Sequence, residues 1–194
     1  MKKFLTFVAV LMIGSGLMAQ DMMMGSSDKG VWVGGNVGAI VALNNDATGG
    51  GFSVQVSGEY ANAFMAGPLA VNAGAELGMQ SFGEAEGSTY TLTNIPINVF
   101  VNTDVGGMVG LPDGIALKPG IGLGLFSVDD NIDATDSAMR FGLHGDLGVE
   151  YMIQDNMRAG LQFRGYRVMG FADGSDDPND FINILAKFDY FLPM

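Results

Sequence analysis

Apolar and polar residues alternate with a period of two along most of this chain, and no other feature constrains its fold as tightly. Phe52, Val54, Val56, Gly58 and Tyr60 interleave with Ser53, Gln55, Ser57 and Glu59. Leu69, Val71, Ala73, Ala75, Leu77 and Met79 interleave with Ala70, Asn72, Gly74, Glu76, Gly78 and Gln80. Successive side chains of a strand point to opposite faces, so each run has one apolar face and one polar or small face. Read this way, the strands cover 31–43, 52–62, 69–82, 89–103, 115–128, 138–153, 157–170 and 181–192. Each approaches or exceeds the length a tilted strand needs to cross a bilayer, and an even number lets an up-and-down sheet close on itself. The predicted fold is all-β: a closed eight-stranded antiparallel up-and-down transmembrane β-barrel.

The charged residues sharpen this expectation. Glu59, Glu76, Lys118, Arg140, Asp146, Glu150, Arg158, Arg164, Lys187 and Asp189 all fall on the polar parity, together with His144, Gln55, Gln80 and Gln162. Arg167 departs from it, near the outer end of its strand. Five acids meet five bases on that face, although the whole chain carries a net charge of −12. A balanced, glycine-rich face reads as a lumen plugged by ion pairs, because eight strands enclose little room for water. The alternative is a soluble exported barrel with its faces reversed, binding an apolar ligand inside.

The connections divide into two sets. Those at 44–51, 83–88, 129–137 and 172–180 are acidic and polar, whereas those at 63–68, 104–114 and 154–156 carry less charge. An N-terminus starting at one end places every acidic connection at the other, the two-sidedness expected of a membrane barrel. In the turn Gln154-Asp155-Asn156, Ile153 and Met157 share a face, so the loop is odd-numbered and Asn156 is expected in the left-handed conformation. Counting back from it sets Asp146 opposite Arg164 and Glu150 diagonal to Arg158. Pro96 and Pro119 fall inside apparent strands, where a missing N–H breaks the ladder, so bulges or strand ends are expected there. Phe52 with Tyr60, Phe141 with Tyr151, and Phe188 with Tyr190 place aromatics near the ends of apolar bands, as two membrane interfaces favour.

Residues 1–19 have the layout of a secretory signal peptide: a basic Met1-Lys2-Lys3, an apolar stretch from Phe4 to Ile13, and a small residue at Ala19. Residues 20–30, with Met22, Met23 and Met24, read as a short leader, and 31–194 as the barrel domain. The chain has no cysteine, so neither lipid anchoring through one nor disulfides contribute, and stability must come from a core or a closed sheet. The acidic balance argues against nucleic acid as a partner.

Chemistry-bearing motifs are few. His144 is the sole histidine and shares a face with Asp146 and Glu150, yet no Ser lies within two positions of it. A lipid-modifying enzyme is the further alternative. Asp129-Asp130-Asn131-Ile132-Asp133 begins like a calcium loop, but Ala134 and Arg140 stand where the glycine and the bidentate glutamate belong. Gly120, Gly122 and Gly124 have the wrong spacing for a dinucleotide loop. No catalytic, cofactor or metal site is expected. The acidic connections attract divalent ions diffusely.

The stretch 142–166, GLHGDLGVEYMIQDNMRAGLQFRGY, resembles the penultimate hairpin of OmpA-like outer-membrane β-barrel proteins, with Gly148, Glu150, Tyr151, Asn156, Arg164 and Tyr166 as the counterparts. Pro119-Gly120-Ile121-Gly122-Leu123-Gly124 is similar to the family's fifth strand and Ile95-Pro96-Ile97 to its fourth. The resemblance implies a bacterial outer-membrane location, no cofactor, and a role in envelope integrity or surface contact. It also implies outer-membrane lipid, the barrel-assembly machinery and periplasmic chaperones as partners, with an extracellular partner engaged through the acidic loops. The chain departs from the family in ending Phe191-Leu192-Pro193-Met194 rather than on an aromatic, and in having Phe163 where a first tyrosine is usual.

Overall fold

The computed structural model describes residues 30–43, 48–84, 92–130, 138–169 and 179–194. Eight strands occupy them: β1 (Gly30–Ala42), β2 (Thr48–Ala66), β3 (Leu69–Glu84), β4 (Leu92–Thr103), β5 (Ile115–Asp130), β6 (Ala138–Gln154), β7 (Met157–Val168) and β8 (Asn179–Pro193). Each pairs antiparallel with its sequence neighbours, and β1 pairs β8, so the sheet closes as a barrel without an edge. β2 and β8 run longer than the alternation alone indicates, and β7 is shorter. The signal peptide and residues 20–29 of the leader, Met22–Met24 among them, lie outside the described residues, as do 131–135 of the calcium-like run and most of the acidic connections; Gly30, the last leader residue, begins β1.

The predicted faces are the observed ones. Leu147 (44% exposed), Val149 (42%) and Leu161 (51%) project outward, while Arg164 is 1% exposed. The apolar parity therefore coats the barrel, and the reversed, soluble arrangement is excluded. Phe52, Phe141, Tyr151, Phe188 and Tyr190 belong to that outer coat.

Three local expectations are corrected. Asn156 does not adopt the left-handed conformation; among the described residues Asn62 is the one non-glycine that does, at φ 54°. Gln154 pairs Met157 directly and a bulge between Met152 and Gln154 absorbs the odd residue, so the faces are kept by the ladder and not by the loop. Pro119 and Pro96 make no bulge. Pro119 stands one residue before the β4 ladder begins at Gly120, so the β4 side asks no N–H of it. Around Pro96 the β3 ladder skips from Leu77↔Ile97 to Gln80↔Asn94 without changing register. The barrel tolerates the proline by omitting pairs rather than by shifting them. On β2, a bulge between Tyr60 and Phe64 is held by the Asn62 N–H donating to Asn72 Oδ1 at 3.0 Å.

At the end of the barrel bearing the β2–β3, β4–β5 and β6–β7 turns, Gly67 (φ 63°) closes the first. The second is longer and carries a short 3₁₀ helix at Gly107–Val109. Asp104 Oδ1 accepts from the N–H groups of Gly106 and Leu117 and holds that turn against β5.

Candidate functional site

The polar parity of all eight strands converges on the lumen, which divides into tiers. Nearest the short turns lies an ion network of three carboxylates and three cations. Glu59 on β2 meets Lys118 Nζ at 3.0 Å, Arg158 Nη2 at 2.9 Å and Lys187 Nζ at 3.8 Å, and accepts from Asn102 Nδ2 at 2.7 Å. Glu150 meets Lys118 at 3.0 Å, Arg158 at 3.1 Å and Lys187 at 2.8 Å. Asp189 takes Arg158 Nε at 2.7 Å and Lys187 Nζ at 3.1 Å. Every member touches at least two groups of opposite sign, and all are buried. Such mutual pairing is what allows charges to be removed from water. Beneath the network the Trp32 indole lies face-on to Arg158, whose Cζ is 4.2 Å from the ring centroid, and packs on Phe191.

Above it, Arg164 on β7 reaches the facing wall and bonds Glu76 on β3. Asn98 Nδ2 donates to Glu76 Oε1 at 2.8 Å and to Tyr166 Oη at 3.0 Å. Asp146 stands directly opposite Arg164 in the ladder, with its Oδ2 3.6 Å from Arg164 Nε. His144 Nδ1 lies 3.3 Å from the same oxygen, with neither ring nitrogen in a hydrogen bond, and the ring packs on Tyr166.

The structure thus brings together Glu59, Lys118, Glu150, Arg158, Lys187 and Asp189 in one group, and Glu76, Asp146, His144 and Arg164 in a second. Arg140 has the expected inward parity; at the outer end of β6 it is half-buried and joins no ion pair among the described residues. Arg167 faces outward as expected, 3.8 Å from Asp180 Oδ2.

The sequence reading missed the uppermost tier. Ile40, Phe82, Leu92, Phe126, Tyr166, Val168 and Phe181 form a buried apolar cluster inside the lumen at the end of the acidic connections. Phe82 and Phe181 meet edge-on at 5.1 Å, and Tyr166 stacks on Phe181 at 4.8 Å. The signal was available: Phe82 and Phe126 fall on the inward parity of β3 and β5, two residues beyond Gln80 and Gly124. Among the described residues no three His, Cys, Asp or Glu side chains converge as metal ligands.

A closed eight-stranded barrel with an apolar coat and an ion-paired, aromatic-capped lumen is built for lipid. A family described as "Outer membrane protein beta-barrel domain" matches residues 7–188 of this chain. The chain belongs to that family. As an outer-membrane protein β-barrel it resides in the bacterial outer membrane, surrounded by lipid. Its fold is that of neisserial surface protein A (TM-score 0.62, 15% identity, covering 82% of this chain and 96% of that one). It is similar also to the outer membrane protein OprG from Pseudomonas aeruginosa (TM-score 0.53, 12% identity, covering 87% and 98%). Outer membrane protein AlkL, solved in lipid bilayers, matches with TM-score 0.50 and 14% identity, covering 91% of this chain and 98% of that one. No curated protein matches this outer-membrane barrel in sequence.

Proposed function

We propose that this barrel is a non-enzymatic outer-membrane protein whose ion-paired lumen locks the wall and whose acidic connections act at the cell surface in an adhesin-like manner. The observation that carries the reading is the closure of the lower network: each of Glu59, Glu150 and Asp189 is held by at least two cations. A carboxylate held in this way is braced and is a poor general base. Glu76 and Asp146 are both paired with Arg164, and His144 has no hydroxyl hydrogen-bonded to it. Export through a cleaved 1–19 segment, and insertion by the barrel-assembly machinery with periplasmic chaperones, complete the reading. An apolar coat of this extent needs shielding from water until lipid covers it.

The test is adhesion. Cells displaying the barrel are compared with cells displaying a variant in which Asp129, Asp130, Asp133, Asp136, Asp173, Asp176, Asp177 and Asp180 are all replaced by Asn. Binding to a polylysine-coated surface and to immobilised basic matrix protein falls in the variant, while its heat-dependent gel shift stays unchanged. Equal adhesion by the two cell types would overturn the surface role. The lipid-modifying alternative is tested by mass spectrometry of lipid A, which stays the same with the protein, with its His144→Ala variant and with neither.

A further inference from the structure

Between the apolar cluster and the ion network the lumen wall carries carboxamides that nothing in the protein satisfies. Asn36, Gln55, Gln80, Asn94 and Asn183 are each at most 2% exposed, and neither the oxygen nor the nitrogen of any of them has a hydrogen-bond partner among the described residues. They come from five successive strands, β8, β1, β2, β3 and β4, and so form one continuous half of the wall. Register places four of them in adjacent pairs, while Asn183 stands opposite Ile40 and Arg164. Asn36 stands opposite Gln55, and Gln80 opposite both Asn94 and Ser53, whose hydroxyl is likewise unpaired. Directly opposed residues have Cβ atoms about 4.5–5.5 Å apart, well within reach of mutual hydrogen bonds. No such bond forms, so these groups are directed at something other than one another.

We propose that this tier is a closed binding site for a file of ordered water molecules. The chemistry selects water. Burying a carboxamide without a partner is costly, and every donor and acceptor here would bear that cost together. The wall is neutral and offers donors and acceptors in equal number, which matches a small neutral ligand able to do both. Buried water of this kind makes about three hydrogen bonds to groups otherwise unsatisfied. The neighbouring charges, Arg164, Glu76 and Asp146, are paired among themselves, and Arg164 Nε and Asp146 Oδ2 add one further donor and one acceptor that no hydrogen bond satisfies. The inference goes beyond the plugged-lumen reading: the two ends of the barrel are sealed by side chains, and the middle is wet. Phe82 and Phe181 form part of the roof that separates this water from the cell exterior.

Nuclear magnetic resonance of the whole protein in lipid nanodiscs tests the site. The side-chain NH₂ groups of Gln80 and Asn94 show cross-peaks to water, whereas the backbone N–H of lipid-facing Val99 shows none. A folded protein lacking water contacts at both carboxamides overturns the proposal. The roof is tested separately with Asn94→Cys, the protein having no other cysteine. Its thiol resists a polar thiol reagent while the roof is intact and reacts an order of magnitude faster when Phe82→Ala and Phe181→Ala are added. Equal rates in the two folded backgrounds would remove the roof from the proposal.

Discussion

Arg158 on β7 donates to Glu59 Oε1 on β2 at 2.9 Å, across ninety-nine positions of sequence. The same guanidinium bonds Asp189 through Nε and lies over Trp32, so one side chain ties four of the barrel's inner groups together when Glu150 is included. Losing it leaves three carboxylates short of a cation in a place that water reaches poorly. Breaking a buried pair from one side typically costs about 3–5 kcal/mol. Arg158→Ala should destabilise the barrel on that scale, measured as a lower urea midpoint by gel shift in micelles. Replacing Arg158 and Glu59 together by methionine and leucine should recover part of the loss.

Trp32 is the chain's only tryptophan, and it points into the lumen rather than into lipid. Brominated lipids should therefore leave its fluorescence unquenched in vesicles. Tyr151, 58% exposed on the outer face, provides the contrast: in a Trp32→Phe background, Tyr151→Trp should be strongly quenched by the same lipids.

The apolar coat can be tested at one position. Val149 pairs Leu117 and Leu161, and both flanking strands present these residues outward. A lysine there enters hydrocarbon, at a cost of about 2–4 kcal/mol near the midplane. Val149 lies two residues from Tyr151 towards the middle of the strand, so Val149→Lys should lower the unfolding free energy in lipid vesicles by at most that amount, and Val149→Leu should leave it almost unchanged.

Two glycines with the same composition signal differ in what surrounds them. A Cβ at Gly122 would collide with the His144 ring and with the Val99 carbonyl, whereas a Cβ at outward-facing Gly165 meets nothing within 4 Å. Overpacking typically costs about 1–3 kcal/mol, so Gly122→Ala should destabilise within that range. Gly165→Ala should change stability by no more than about 0.5 kcal/mol, read from the same unfolding curves.

What was legible in the sequence is what depends on neighbours along a strand or across one turn. Alternation assigned the inward and outward faces, because a side chain's face is set by counting from the residue before it. Hairpin counting found Asp146 opposite Arg164, since that ladder starts at Gln154 and Met157, directly beside a tight turn. The even strand number followed from the same local pattern.

Contacts across the lumen lay beyond that reach. Glu76 with Arg164, and Glu59 with Lys118 and Arg158, depend on how far each strand slides against the next all the way round the barrel. No local window contains that sum. It is also why Arg140 shares a parity with the network and yet stands apart from it: the parity sets the face, but height along the axis comes from the accumulated stagger. The bulges at Asn62 and near Gln154, and the omitted pairs beside Pro96, were likewise decided only when the closed sheet set the spacing of both partners. The sequence by itself determined which side chains face lipid and which face inward. The tertiary structure decided which inward residues meet, because closure fixes every strand's height at once.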